Sequence, residues 1–348
     1  MSPMQKLIMI LSLLMSFSTE FLERFIMILT EGDLDFSSTI LEFAEKERFS
    51  EGVECPYCEG IYIVRNGHRK TDNAQRYLCR ECGKSFVATT YSVASGTRKS
   101  LGTWKKFFEC MVNGFSVRKT AEICGIHKNT AFIWRHKVLD ALSAIQEEVE
   151  MQGIVEADET FFPLSYKGNH SKSSFVMPRE AHERGHSVKK QGLSDEQVCT
   201  VCAVNRKGLA VSKVGKLGKV SSDCLEAVLS EHILWDTVIC TDKEKAYRRF
   251  SEYNNYNLIQ LENGKASKGI YNIQHINSYH SQLKNFMYRF KGVSTKYLNN
   301  YLAWHNFVNY SKETYKEKLR VFGENIMSVY IKENSRDISK RDPVPLLV

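Results

Sequence analysis

The sequence predicts a multidomain α+β protein, on three observations. Two Cys-x-x-Cys pairs, Cys55-Pro-Tyr-Cys58 and Cys79-Arg-Glu-Cys82, stand about twenty residues apart. A short helical segment, a glycine turn and a longer helical segment follow over 116–145. From residue 150, apolar runs of strand length come first and then alternate with helical periods, the pattern of a mixed α/β domain.

The cysteines define the first element. Two thiolates two residues apart share one tight knuckle, and two knuckles joined by a hairpin can close a tetrahedral Cys₄ zinc site. Cys55, Cys58, Cys79 and Cys82 are therefore the expected ligands of a structural Zn²⁺ in an N-terminal zinc ribbon over 53–90. Four protein ligands close such a site, so it holds the fold and does not catalyse. Arg65-Asn66-Gly67 reads as its turn, and Tyr77 and Phe86 as its packing. Before it, 36–52 reads as a lead-in helix, capped by Asp35 or Ser37, with Leu41, Phe43, Ala44 and Phe49 on its apolar side. Residues 1–35 hold an apolar helix over 5–30. The run 7–15 resembles a signal-peptide core, but it lacks an Ala-x-Ala site and is too short to span a bilayer.

Composition narrows the partners. Of 348 residues, 43% are hydrophobic and 25% charged, ordinary for a globular protein. A formal charge of +8 favours an acidic polymer as partner. Ten cysteines in a chain of this size suggest a reducing compartment, so a cytoplasmic location with no membrane partner is expected.

After a linker over 91–100, a helix from Thr103 carries Trp104, Phe107, Phe108 and Met111 at helical spacing. Ser116 can cap a short helix to residue 124, Gly125-Ile126 makes a turn, and 128–145 is helical again. This is the helix-turn-helix pattern, expected over 101–148. Ala121 is small where the helices cross. Lys128, Asn129, Thr130 and Arg135 are left at the front of the second helix, where base edges and phosphates are reached.

In the second half, 154–162 reads as a strand, 163–195 as a basic, His-rich insertion, and 197–204 and 208–214 as strands. A helix follows over 222–232, a buried strand over 237–240, a helix around Tyr247 and Phe250, a strand over 257–261, and helices over 276–290 and 294–310. Cys199-Thr-Val-Cys202 has ligand spacing but lies in an apolar run, so core packing is its expected role. Asp158 and Asp242 end strands, and two such edges side by side can hold a hard cation, Mg²⁺ or Mn²⁺, through oxygen. Asn277 and Lys284 lie seven residues apart on one helix face, with His280 and Ser281 near it. The first offers a carbonyl oxygen to metal, the second an ammonium to phosphate. Glu159 points to the opposite face of its strand.

Several motifs recur in a fixed order: Cys55-Pro-Tyr-Cys58 after Arg48-Phe-Ser-Glu-Gly-Val-Glu; Thr103-Trp104; Ser116-Val-Arg-Lys-Thr-Ala; Thr130-Ala-Phe-Ile-Trp-Arg-His136; Glu156-Ala-Asp158-Glu-Thr; Asp242; Asn277-Ser-Tyr-His280-Ser-Gln-Leu-Lys284; and Lys291-Gly-Val-Ser294 with Tyr297-Leu-Asn-Asn-Tyr301-Leu. On these residues, from about Phe43 to Phe307, the chain resembles bacterial insertion-sequence transposases of the Merlin-like group. That resemblance implies an RNase H-like mixed α/β catalytic core over 150–310 and a C-terminal tail over 311–348. It implies metal-dependent phosphodiester hydrolysis and strand transfer, with Asp158, Asp242 and Asn277 as catalytic metal ligands and Lys284 beside them. The third ligand is Asn277 or His280, since an asparagine departs from the commoner carboxylate. The implied partners are double-stranded DNA, as terminal inverted repeats and as target, and further copies of the chain, as a homodimer or larger. Arg289, Lys291 and Lys296 are expected along the DNA backbone, and Arg179, Arg184, Lys189 and Lys190 as a clamp on strand ends. A non-catalytic zinc-dependent DNA-binding regulator derived from a transposase, and a nuclease without a joining step, are the competing readings.

Overall fold

The computed structural model describes residues 41, 44–168, 176–177, 194–261, 267–311, 314–323, 327 and 329–347. The expected apolar helix over 5–30, the caps Asp35 and Ser37, and the clamp residues Arg179, Arg184, Lys189 and Lys190 lie outside the described residues. The chain divides into two units, residues 1–90 with 94–108, and residues 91–93 with 109–348.

In the first unit, strands β1 (Ile63–His68), β2 (Gln75–Cys79) and β3 (Ser85–Val87) form an antiparallel sheet in that order. The expected turn at Arg65-Asn66-Gly67 is instead an irregularity inside β1, with Gly67 at φ 66°. The chain reverses later, over 69–74, where Arg69 pairs with Asp72 and Asn73 takes a left-handed φ of 56°. Asparagine tolerates that conformation, and so the turn forms there. Tyr77 and Phe86 stack at 5.6 Å between ring centres, and Phe49 meets Tyr77 edge-on at 5.2 Å. Residues 44–48 are helical, and Glu45 accepts the Tyr77 hydroxyl. The Phe49 ring, the Glu45 carboxylate and the Arg48 guanidinium, which donates to the carbonyls of Ala88 and Thr90, thus fasten the lead-in segment to the sheet and the residues just after it.

Helix α1 (Leu101–Val112) is followed by α2 (Val117–Cys124) and α3 (Lys128–Glu147). Ser116 caps α2 by accepting from the Lys119 N–H, as its position predicts. Gly125 ends α2 at φ 59°, ψ 41°, a left-handed conformation that costs glycine little. His127 caps α3 through its Nδ1, which accepts from the Asn129 N–H. Both α2 and α3 belong to the second unit, together with the large sheet.

That sheet contains β4 (Ile154–Pro163), β5 (Gln197–Asn205), β6 (Ala210–Leu217), β7 (Val238–Thr241) and β8 (Asn257–Gln260). Its order is β6-β5-β4-β7-β8, with β4, β5 and β6 antiparallel and β7 and β8 parallel to β4. Numbered within the domain this is 3-2-1-4-5, a mixed sheet. Helices α4 (Ser222–Leu229) and α5 (Lys245–Asn254) cover one face. There Val155, Ala157, Val201 and Ile239 meet Leu225, Val228, Tyr247 and Phe250 in one buried cluster. Residues spaced two apart supply the strands' share of it, as pleating requires. Cys199 and Cys202 are both fully buried inside β5.

A two-residue hairpin, β9 (Ser267–Lys268) and β10 (Tyr271–Asn272), leads into α6 (Gln274–Tyr288). A 3₁₀ turn (Thr295–Tyr297) then opens α7 (Leu298–Asn309). Tyr279 of α6 donates from its hydroxyl within a fully buried knot, 2.7 Å from both Ser212 Oγ of β6 and Asn306 Oδ1 of α7. This ties both helices to the other face of the sheet.

The expected tail over 311–348 is folded in its described part, as α8 (Tyr315–Gly323) and α9 (Ser335–Lys340). Ile338 is fully buried, and Arg341 reaches Asp140 of α3 at 2.6 Å. Too few apolar residues at helical spacing mark this stretch in the sequence for it to be legible as helix.

Candidate active site and DNA-facing residues

Asp158 and Asp242 come from neighbouring strands. β4 and β7 run parallel with Glu156 opposite Cys240. Two residues further on, each chain reaches its aspartate, on the same face and at the same end. Asp158 Oδ1 accepts the Glu159 N–H at 2.9 Å, and Asp242 Oδ1 accepts the Glu244 N–H at 2.9 Å. Each carboxylate is thus oriented by the backbone through its Oδ1. Burial, and then the negative charge of Asp242, push the Asp158 carboxyl up to about 6; the Lys284 ammonium pulls it partly back. Two like charges held this close favour a shared proton or a shared cation.

The asparagine helix docks beside them. His280 Nδ1 lies 3.7 Å from Asp158 Oδ2. Burial and the Lys284 charge lower the imidazole to about 4, so it is neutral at pH 7. Its buried Nε2 has no hydrogen-bond partner among the described residues. Asn277, one turn earlier, and Lys284, one turn later, are exposed along the same flank of α6. Thus Asp158, Asp242, His280 and Lys284 interact with one another directly or electrostatically, and Asn277 opens to solvent beside them.

Sequence reasoning missed the groups that hold this site. Glu156, 1% exposed, accepts from the backbone N–H groups of His275 and Ile276 at 2.8 and 3.1 Å. Gln260 on β8 donates from Nε2 to the carbonyl oxygens of Asp242 and Glu244. Glu159 does face the other side of the sheet, where its Oε2 accepts the Tyr247 hydroxyl at 3.3 Å. Burial, with Asp158 and Asp242 nearby, raises its carboxyl to about 8. A period-two reading of β4 puts Glu156 on the Asp158 face, and that was the available signal.

The residues present suit hard-cation chemistry. Carboxylates, an amide and a neutral imidazole are donor types that Mg²⁺ or Mn²⁺ accepts, although among the described residues only the four cysteines gather three or more His, Cys, Asp or Glu donors within 4.8 Å of one another. The cysteines suit zinc. All four Sγ atoms lie within 4.8 Å of one another, with Cys55 to Cys82 at 3.6 Å and Cys58 to Cys79 at 3.7 Å. A tetrahedron with Zn–S bonds of about 2.3 Å has edges of about 3.8 Å. The Lys84 N–H, outweighing burial, draws the Cys82 thiol down to about 7, whereas burial raises that of Cys55.

The expected DNA-facing residues divide. Lys128 and Asn129 are exposed, and Thr130 is half-buried, in the first turn of α3. Arg289 and Lys291 are exposed beyond α6. Arg289 lies beside Gly114, in the turn between α1 and α2, with its guanidinium 3.3 Å from where a Cβ would stand. Arg135 is a correction. It is 1% exposed, donates to the carbonyl of Phe115 and to Thr120, and lies 4.8 Å over the Trp304 ring. Position 135 is two helical turns into α3, where the helix faces the Trp304 core. Lys296 is likewise buried, with Nζ toward the Ser339 carbonyl and over the Tyr297 ring.

Among the described residues no helix is long and apolar enough to cross a membrane. Residues 150–308 match the family model described as "ISXO2-like transposase domain". A protein in transposable element ISH50 of Halobacterium salinarum is 22% identical over 258 residues, which cover 73% of this chain and 84% of that protein. Two similar solved structures are a pre-cleavage Mos1 transpososome and a Mos1 strand transfer complex. They are 10% and 11% identical, each covers 67% of this chain, and they cover 79% and 77% of theirs. Both have a TM-score of 0.27, too low to bear on the fold. That match to the ISXO2-like transposase domain spans the sheet and helices that carry Asp158, Asp242 and α6.

Proposed function

We propose that this chain is a DNA transposase that binds the ends of its own element, hydrolyses a phosphodiester there, and joins the freed 3′-OH to target DNA. The observation that carries this reading is the pair Asp158 and Asp242, each two residues past the paired Glu156 and Cys240 of parallel β4 and β7, with α6 alongside. Asp158, Asp242 and Asn277 or His280 would hold Mg²⁺ or Mn²⁺, which supplies stabilisation of charge on the phosphate oxygens and a more acidic attacking water. Lys284 offers its ammonium to a phosphate oxygen. The Glu159 and Glu244 N–H groups keep the carboxylates aimed while the substrate enters. In the first step a water oxygen attacks phosphorus and the 3′ oxygen leaves as a hydroxyl. In the second, that 3′ oxygen attacks a target phosphorus and displaces the target's own 3′ oxygen. Both are in-line exchanges of one P–O bond for another.

Lys128, Asn129 and Thr130 at the head of α3 are the proposed readers of the terminal inverted repeats, with Arg289 and Lys291 on the backbone. Cys55, Cys58, Cys79 and Cys82 hold a structural Zn²⁺ in a ribbon that adds to end binding. Joining two ends calls for at least two copies of the chain.

The test is incubation with a supercoiled plasmid carrying the DNA that flanks this gene, with Mn²⁺. A transposase gives nicks at the element ends and joined products. Cut ends without joining fit a nuclease, and binding without nicks fits a regulator; either result overturns the proposal.

A further inference from the structure

The N-terminus of α6 has an unusual anchor. Its N-cap residue, Ile273, makes no side-chain cap, and Asn272 Oδ1 accepts only the first N–H, that of Gln274, at 3.2 Å. The first N–H groups of a helix need acceptors. Here the acceptor comes from a strand: Glu156 Oε2 takes the N–H groups of His275 and Ile276. Its Oε1 lies 2.8 Å from His275 Nδ1 and 2.9 Å from a guanidinium nitrogen of Arg206. Arg206 in turn donates to the Ile270 carbonyl at 3.2 Å, in the hairpin that leads into α6. One carboxylate therefore joins β4, the turn after β5, the β9–β10 hairpin and α6.

A buried carboxylate is costly unless every oxygen is engaged, and Glu156 has both oxygens engaged. It stands two residues from Asp158 on the same strand face, so the strand that carries the aspartate also fixes the helix that carries Asn277, His280 and Lys284. We infer that Glu156 is a positioning residue of the active site: its grip on the first turn of α6 sets the distance between the helix-borne groups and the two aspartates, and with it the affinity for the catalytic cation. The inference rests on the proposed metal-dependent reading and adds the residue that assembles it.

The experiment uses the zinc-loaded full chain and its Glu156→Gln and Glu156→Ala variants, with Mn²⁺ binding followed by electron paramagnetic resonance in the presence of end DNA. Hydrogen exchange over residues 274–278 reports the grip itself. Removing a group that orients metal ligands typically weakens binding about tenfold to a hundredfold. The expected order of half-saturating Mn²⁺ is wild type, then Gln, then Ala, because glutamine keeps an oxygen for the two amides and loses the charge that holds Arg206. Exchange should rise in the same order, and saturating Mn²⁺ should restore cleavage. If Ala fails to fold, Gln and Arg206→Gln take its place and must both shift the half-saturation. Folded variants whose half-saturation stays within about twofold of wild type overturn the inference. Wild-type protein that binds Mn²⁺ with these shifts yet never cuts DNA sinks the transposase reading alone.

Discussion

The side-chain amide of Gln260 donates to the main-chain carbonyl of Asp242 at 3.0 Å, and its own oxygen accepts from Arg248 at 3.2 Å. An edge strand thereby holds the loop that presents the second aspartate. Without it, that loop keeps its Asx turn from Asp242 Oδ1 to the Glu244 N–H, the Thr241 hydroxyl on the Asp242 carbonyl, and the Lys219–Glu244 ion pair.

Gln260→Ala should therefore lower end cleavage about tenfold and leave end binding by gel shift unchanged. Its effect on stability should be about 1 kcal/mol, the usual worth of such hydrogen bonds, measured by denaturant titration.

The acidic site makes stability depend on pH in a stated direction. Asp158 is raised from 3.8 to about 6 and Glu159 from 4.5 to about 8. The folded state thus holds protons that the unfolded state has released. Stability from these groups is complete below pH 4 and is lost as pH rises through 6 and 8. A divalent cation replaces the proton. Mg²⁺ should accordingly raise the melting temperature more at pH 8 than at pH 5, and Asp158→Asn should reduce that difference, by thermal melts at both values.

Arg135 and Lys128 should behave oppositely. Arg135→Ala leaves its buried acceptors unpaired and should cost about 3 kcal/mol or more. Lys128→Ala should barely change stability. It should weaken end binding and lower the slope of log affinity against log salt by about 1. Melts and salt-titrated gel shifts separate the two.

Much of this was legible in sequence because the informative signals are local. The two Cys-x-x-Cys knuckles, the Ser116 cap, Gly125, and the alternation through Ile154–Pro163 each act within a few residues. What stayed hidden depends on partners far apart in the chain. Arg135 looks like a surface base until Trp304 and Phe115 are seen around it. Glu156 looks like one more acidic residue of an alternating strand until the first turn of α6 arrives 119 positions later to use it. The turn at 69–74 was displaced from the expected Asn66-Gly67 because the bulge lets that dipeptide stay within β1.

Zinc removal should act on the first unit alone. Treatment with a chelator, or Cys79→Ser, should unfold the β1–β3 sheet, since a small sheet of this size takes much of its stability from the metal. Circular dichroism and proteolysis should show loss of residues 53–90 with the large sheet intact.

The central claim is that Asp158 and Asp242 act together on one phosphodiester. Its most direct test is cleavage of end-labelled flanking DNA with Mn²⁺ by wild type, Asp158→Asn and Asp242→Asn, each matched for binding by gel shift. The account predicts equal binding and loss of cutting in both variants, to less than about one hundredth of wild type. Undiminished cutting by either variant would contradict it.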